Sequence, residues 1–448
     1  MKLKPYPKYK VSGIQWIEEI PEGWGVRKLK FSLLDEKNSI KTGPFGSQLK
    51  IDEMYGHEIK VYNQKNVIEK DESIGENYVS LDKFKELFAF KTVPGDLLIT
   101  TRGTIGRTLR LSKNAEVGIL HPCLMKINTD NNKVFDRYIE ILIEEADLIK
   151  VQLQLLSCAT TIEVIYQDNL KEVKLVVPPL PDQTTIASIL DKKTAKIDAL
   201  IEKDKKLIEL LKEKRTALIN HAVTKGLDPN VKLKDSGVDW IGEIPEGWEV
   251  KKLKLVSNRI GDGIHTTPNY VDISDSYFIN GNNLVNGRIK ITRSTRCVDE
   301  IELKKHRQPL NERTLLLSIN GTIGNLAFYK GEQIILGKSA AYINLKKKIK
   351  VKYVYYFFRC NSIKYYFMKE VTGSTIWNLS LDSVKKTPIL YPSSSEQIKI
   401  VQYLDKATSK IDKTIQKIEK KIKLLEEYKK SLIHHVVTGK IDVRKSEV

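Results

Sequence analysis

Two five-residue segments, Arg102-Gly103-Thr104-Ile105-Gly106 and Asn320-Gly321-Thr322-Ile323-Gly324, hold residue types suited to recognising nucleic acid. A guanidinium can bond O6 and N7 of guanine together, and a carboxamide N6 and N7 of adenine. The flanking Gly-x-x-Gly lets backbone approach phosphate closely, with Thr104 or Thr322 as a hydroxyl donor. The same spacing also serves a tight turn joining two strands. A second matched pair is Tyr62-Asn63-Gln64-Lys65-Asn66-Val67 with Ile279-Asn280-Gly281-Asn282-Asn283-Leu284. Its amides suit adenine edges and equally suit the capping of turns. Asn63, Asn66 and Asn283 therefore join Arg102, Thr104, Asn320 and Thr322 as candidate DNA-binding residues.

Other chemistry is thinly represented. A Walker loop is excluded because no Gly-Lys-Ser/Thr ending follows the glycines. An Asn-Pro-Pro-aromatic methyltransferase box and a glycine-rich cofactor loop are missing from the sequence. Glu58-Ile59-Lys60 with Asp52, and Glu172-Val173-Lys174 with Asp168, faintly resemble a nuclease triad, but the aspartate sits too close in both and the two copies do not share it. Cys123, Cys158, Cys297 and Cys360 are scattered without paired spacing, which points to reduced thiols in a cytoplasmic protein and to no metal site. His221 and His435 fit helix ends, where they meet the last carbonyls.

These segments recur because the chain repeats itself. Ser12–Lys30 returns as Ser236–Lys254, and Gln183–Asp228 aligns without a gap on Gln397–Asp442. Each copy pairs a globular block with a long polar helix, so a near two-fold molecule with two contact points is expected. Trp16, Pro21 and Trp24, echoed by Trp240, Pro245 and Trp248, suit base stacking, but their fixed spacing fits a structural lid better. The loops Thr42–Ser47 and Gly261–Thr267 occupy comparable places yet differ in sequence. A duplicated frame with unlike loops suggests two different targets.

Local patterns give the elements. Asp96–Thr101 is a β-branched run bounded by Pro94-Gly95 and Gly103, which predicts a strand. Phe135–Val151 has apolar residues at helical spacing, and Leu175–Pro181 is extended before its prolines introduce a helix. From Ile197 the apolar register runs through Ile201, Asp204, Ile208, Leu211, Arg215, Leu218 and Ala222. The second copy runs Ile411, Ile415, Ile418, Ile422, Leu425, Lys429, Leu432 and Val436. Steps of four and three over several heptads predict a coiled coil, with each helix about 60 Å long. The seams match in length and phase, so an antiparallel pair is expected; the alternative packs each helix on its own block or on another protein. Asp204 and Arg215 interrupt the seam either as register-setting polar positions or where the rod frays.

The expected organisation is mixed α/β with a pseudo-two-fold internal repeat. Residues 1–182 form one globular domain and 183–226 a first spacer helix. Residues 227–395 form the second domain, 396–440 a second helix, and 441–448 a tail. The 448 residues have a net charge of +19, a field that attracts polyanions, nucleic acid first among them. The same lysines also solvate the exposed faces of two long helices. Hydrophobic content of 41% fits a folded protein, and no apolar run reaches a membrane span. No signal-type apolar stretch follows MKLKPYPKYK.

The repeated W-I-x-E-I-P-E-G-W, the block exits Pro179-Leu180-Pro181-Asp182-Gln183 and Ser394-Ser395-Glu396-Gln397, and the helix endings Asn220–Thr224 and His434–Arg444 resemble the specificity subunit of type I restriction-modification systems. The second exit, Tyr391-Pro392-Ser393, departs from the proline-rich first one. The resemblance spans essentially the whole chain and implies a non-catalytic reader of double-stranded DNA. Each block would be a target recognition domain for one half of a split, asymmetric site. The antiparallel helices would set the gap and dock two methyltransferase subunits. S-adenosylmethionine, ATP and magnesium would belong to those subunits and to restriction (helicase-nuclease) subunits, with no cofactor and no membrane contact on this chain. Two rival readings are a stand-alone nuclease or methyltransferase, and a coiled-coil adaptor without DNA specificity.

Overall fold

The computed structural model describes residues 4–14, 17–35, 39–157, 164–373 and 377–444; Trp16 and Cys158 lie outside them. The chain divides into two compact units, Met1–Lys203 with Lys420–Val448, and Asp204–Glu419. The boundary cuts both long helices, Leu180–Thr224 and Ser394–Val437, so each unit contains a piece of both. The linear order of blocks and helices therefore differs from the compact units the chain forms.

The first unit holds two four-stranded sheets. One is antiparallel, in the order Ile40–Thr42, Leu124–Ile127, Leu97–Thr100, Thr108–Arg110. The other runs Tyr78–Val79, Ile59–Tyr62, Gly118–Leu120, Lys91–Thr92, with its central pair parallel. The second unit repeats the larger sheet strand for strand and shifts the smaller one. Its larger sheet is Ser257–Asp262, Ala340–Leu345, Thr314–Ser318, Leu326–Phe328. Its smaller one is Tyr270–Val271, Cys297–Val298, Tyr277–Ile279, Ile334–Leu336, whose parallel pair, Tyr277–Ile279 with Ile334–Leu336, lies at one edge. The strand expected at Asp96–Thr101 is central in its sheet and all four of its residues are buried.

The single helix expected over 135–151 is interrupted. Asp136–Glu140 passes into a wide turn, Ile141–Glu145, and Ala146 is extended (φ −92°, ψ 128°) before helix resumes at Asp147–Ser157. The wide turn delivers Glu144 to the backbone N–H of Thr108 at 3.1 Å and to Arg107 at 3.2 Å. Tertiary bonding of one carboxylate thus outweighs helical periodicity.

Each long helix is stitched to its globular block by a buried glutamine at the same repeat position. Gln183 accepts from Phe135 N–H at 2.7 Å and donates to Pro178 C=O at 2.8 Å. Gln397 accepts from Lys350 N–H at 2.8 Å and donates to Pro392 C=O at 3.0 Å. The helix starts differ. Pro181 lies in the first turn of the first helix, where its missing N–H costs nothing. In the second, Ser393 and Glu396 form a capping box: the Ser393 hydroxyl accepts from Glu396 N–H at 3.3 Å and the carboxylate from Ser393 N–H at 3.1 Å. That box stands where Ser393 and Ser395 replace Pro179 and Pro181 of the first exit. Gln183→Leu should strand two buried backbone groups and cost about 2–5 kcal/mol. Thermal unfolding checks this, and an unchanged midpoint would refute the stitch.

The helices pair antiparallel within each unit. In the first, Asp198 meets Lys429 at 2.7 Å; in the second, Arg215 meets Asp412 at 3.0 Å. Between these bridges the first helix advances 17 residues, from 198 to 215, while the second retreats 17, from 429 to 412. Arg215 and Lys429 occupy the same repeat position, as do Asp198 and Asp412, so the polar seam positions are register pairs. Their acids are about half exposed, which makes them markers of alignment and only weak contributors to stability. Ile197, Ile201, Ile208, Ile411, Ile415 and Leu432 of the expected seam are buried; Leu211, Leu218, Ile422 and Leu425 are half-buried.

The repeated tryptophan motif is a structural lid. Trp24 and Trp248 are almost completely buried, and Trp240 stacks on Tyr366 with ring centroids 5.3 Å apart. In the second unit Trp248 and Pro245 cover Gly226 at the end of the first helix. In the first unit Trp24 and Pro21 cover Gly439 at the end of the second helix. Tyr9 donates from its hydroxyl to Gly439 C=O at 3.0 Å, and Lys4 pairs antiparallel with Asp442.

Candidate nucleic-acid interface

Arg102 and Asn320 occupy one structural position in two copies of a hairpin. The first hairpin joins Leu97–Thr100 to Thr108–Arg110, and the second joins Thr314–Ser318 to Leu326–Phe328. Gly106 N–H bonds Thr100 C=O at 2.8 Å, matched by Gly324 N–H to Ser318 C=O at 3.0 Å. Ile165 N–H bonds Thr101 C=O at 2.9 Å, matched by Leu379 N–H to Ile319 C=O at 2.7 Å. Arg102 bridges Val164, and Asn320 bridges Asn378. Both glycines of each loop have positive φ, 65° and 73° in the first and 72° and 88° in the second, which only glycine adopts freely. The turn reading is correct, and the turn presents exposed side chains: Arg102, Thr104 and Thr322 are exposed and Asn320 is half-exposed.

Buried bonding holds the first hairpin rigid. The Glu144 carboxylate accepts from the Thr108 hydroxyl at 2.6 Å and from its N–H, and also pairs with Lys70 and Arg107. Burial pulls this carboxyl upward, yet the bonds from Lys70 and Thr108 hold it below the usual range. His121 lies beside the hairpin, accepting from Cys123 N–H at 3.2 Å while Cys123 C=O accepts from Thr101 N–H. Burial lowers its pKa, so at neutral pH the imidazole adds no positive charge here.

The asparagine turns lie against these hairpins. Gln64 donates to Arg102 C=O, and a Cβ on Gly281 would meet Ser318 at 2.8 Å. Asn66 is fully buried, however, its amide nitrogen donating to Ile74 C=O at 2.7 Å and its oxygen accepting from Asn63 N–H at 2.9 Å. Asn63 accepts from Lys65 N–H at 2.9 Å and donates to Asn77 at 2.9 Å. Asn283 repeats the capping role, accepting from Asn280 N–H at 2.9 Å and donating to Lys290 C=O at 3.1 Å. The amides of Asn63, Asn66 and Asn283 shape the turn; Asn66 is buried, and Asn63 and Asn283 are half-exposed. The exposed amide in this motif is Asn282, which sequence reasoning passed over.

In the second unit Asn320 faces a hollow of about 270 Å³ shared with Asp262, His265, Lys338 and Asn378. His265 bonds Asp262 at 2.8 Å, and Asn320 donates to Asn378 at 3.3 Å. His265 comes from the loop that differs between copies; its counterpart stretch in the first unit exposes Phe45. The nuclease-like triplets are used elsewhere. Lys60 is buried with its ammonium on Ser73 C=O, and Glu172 is held by Lys28 and Lys30. Among the described residues no group of His, Cys, Asp or Glu is placed to hold a metal ion, and no helix is long and apolar enough to cross a membrane.

The model of the type I restriction modification DNA specificity domain matches residues 21–210 and 245–424. The putative type I restriction enzyme MjaX specificity subunit of Methanocaldococcus jannaschii is 26% identical, the match covering 96% of each chain. The type I restriction enzyme EcoBI specificity subunit of Escherichia coli is 23% identical over 70% of this chain and 66% of its own. Among solved structures, a chain from work on complex assembly and conformational transition of the type I R-M system superposes with a TM-score of 0.66. That superposition covers 94% of this chain and 99% of the other at 14% identity, a likeness of fold.

Proposed function

The chain belongs to the type I restriction-modification DNA specificity family, and we propose that each of its globular blocks reads one half of a bipartite, asymmetric double-stranded DNA site. It is the specificity subunit of such a system. The two long helices set the gap between half-sites and dock two methyltransferase subunits, which restriction (helicase-nuclease) subunits join. Catalysis belongs to those partners, with S-adenosylmethionine on the methyltransferases and ATP and magnesium on the restriction subunits; the chain itself turns nothing over. The assembly works in the cytoplasm, where its DNA is.

One observation carries the reading: an identical hairpin, bonded identically in both units, presents arginine in one and asparagine in the other. A shared scaffold with one variable side chain at its tip is what reading two different sequences requires. Arginine suits guanine and asparagine suits adenine. Lysine and arginine elsewhere supply affinity through phosphate.

In the complex with its methyltransferase subunits, Arg102→Ala should lose about 1–3 kcal/mol of discrimination at a single base of the first half-site. Asn320→Ala should do the same at the second half-site only. Methylome sequencing of cells expressing each variant reads both. An unchanged motif with Arg102→Ala would remove that residue from the interface, and a change in both half-sites would sever the link between unit and half-site.

A further inference from the structure

The two units differ most where they should be alike, in the segment between the asparagine turn and the next strand of the small sheet. In the first unit this is Val67–Asn77, with one lysine, Lys70, against Glu69, Asp71, Glu72 and Glu76. In the second it is Leu284–Arg296, with Arg288, Lys290, Arg293 and Arg296 and no acid. The equivalence is topological: the following strand pairs with the strand before the turn in both, Tyr78 opposite Lys60 and Cys297 opposite Tyr277. Two acids of the first segment are bonded within their unit, Glu72 to Ser112 at 2.8 Å and Asp71 to Ser73 at 2.6 Å. The four cations of the second are all exposed, and none forms an ion pair among the described residues.

Beside these cations lies a polar cleft of about 540 Å³, lined by Tyr270, Asn282, Lys290, Thr292, Ser294 and Arg296 among others. The Arg296 guanidinium lies over the Tyr270 ring, 4.5 Å from its centroid, and Tyr270 is braced edge-on by Phe278 at 5.8 Å. Stacking fixes the plane of the guanidinium while leaving its N–H edge free to bind an oxyanion. Asp272 borders the neighbouring hollow and not this cleft. Two hydrogen bonds through Ser339 link the cleft to the Asn320 hairpin: Asn280, which lines the cleft, accepts from the Ser339 hydroxyl at 2.9 Å, and Ser339 C=O accepts from Ile319 N–H.

We propose that residues 286–296 form a DNA-backbone arm that only the second unit possesses, with Lys290, Arg293, Arg296 and the hydroxyls of Thr292 and Ser294 taking consecutive phosphates beside the second half-site. This rests on the reading of the chain as a two-part DNA reader. Cations outside any ion pair among the described residues, hydroxyl donors and the hydrogen-bonded link to the Asn320 hairpin favour a phosphate backbone over an acidic protein surface. The first unit's acidic counterpart repels the backbone at the same place, so the protein's grip on DNA is lopsided.

The test uses the full complex with its methyltransferase subunits and the triple variant Lys290→Ala, Arg293→Ala, Arg296→Ala. All three side chains are exposed, so the unfolding midpoint should hold. Affinity for the specific duplex should fall about tenfold or more, and the slope of log affinity against log salt should flatten by roughly three. The methylated motif should stay the same, and protection from hydroxyl radicals should shorten only outside the second half-site. An unchanged slope and footprint would overturn the arm. Weakened methyltransferase binding with the DNA slope intact would instead make it a protein-binding surface and overturn it equally. Should the arm fail while Arg102→Ala still relaxes the first half-site, the two-part reading stands. Failure of the unaltered complex to bind any duplex specifically would bring down that reading as well.

Discussion

Seven residues inserted after Lys206 together with seven after Lys420 should widen the unspecified gap of the methylated motif by about two or three base pairs and leave the specified bases unchanged. The arithmetic is that of helix rise: one added heptad extends each helix by about 10 Å, and a base pair occupies about 3.4 Å along a DNA strand. The register pairs Asp198–Lys429 and Arg215–Asp412 locate the insertion points, which fall between positions 198 and 215 of the first helix and between 412 and 429 of the second. Both helices must grow there for both bridges to survive. A heptad keeps the apolar seam in phase, whereas three residues would overwind the coil locally. Sequencing of methylated sites reads the outcome. Changed half-site bases with the old gap would show that the helices do not act as the ruler.

Gly439→Ala should lower stability by about 2–6 kcal/mol, whereas Gly226→Ala should cost only about 1–2 kcal/mol. Both glycines end a long helix with positive φ, 74° and 81°, so the backbone penalty is shared. The difference lies in what covers them. A Cβ on Gly439 would sit 2.2 Å from the Pro21 ring, which has no rotamer to yield, while one on Gly226 would be 3.4 Å from Trp248. The cause is visible in sequence, since the glycine comes one residue earlier in His435-Val436-Val437-Thr438-Gly439 than in His221-Ala222-Val223-Thr224-Lys225-Gly226. Equal drops in the thermal midpoint for the two variants would contradict this account of the packing.

What could be read from the residues alone was whatever repeats. The lid motif, the helix phase and the shared Gly-x-x-Gly were legible because each recurs at fixed spacing, and repetition separates a constraint from chance. The equal topology of the two larger sheets was not, since strands of two to six residues carry little pattern and their side chains diverged. The broken helix at Ile141–Glu145 was hidden for another reason. Its apolar spacing is helical, and the decisive bond from Glu144 to Thr108 joins residues far apart in sequence. For the site, Arg102 and Asn320 stood out by position, while the asparagine turn stayed ambiguous. An amide that is buried in a turn and an amide that is exposed on it look the same in sequence, as Asn66 and Asn282 show. The basic arm was present in the composition all along, but its meaning needed the acidic counterpart that topology supplies.

The closure of the second helix over Pro21 and Trp24, with Lys4 beside Asp442, has a consequence for how such a chain is written in a gene. In each unit a lid closes on a helix end, and in the first unit that helix comes from the far end of the sequence. A short linker joining the stretch around Lys4 to that around Asp442, with a new break in the exposed turn at Asp228–Asn230, would reverse the reading order and keep the lid contacts at Gly226 and Gly439. Which half-site counts as first would then depend on where the chain is cut.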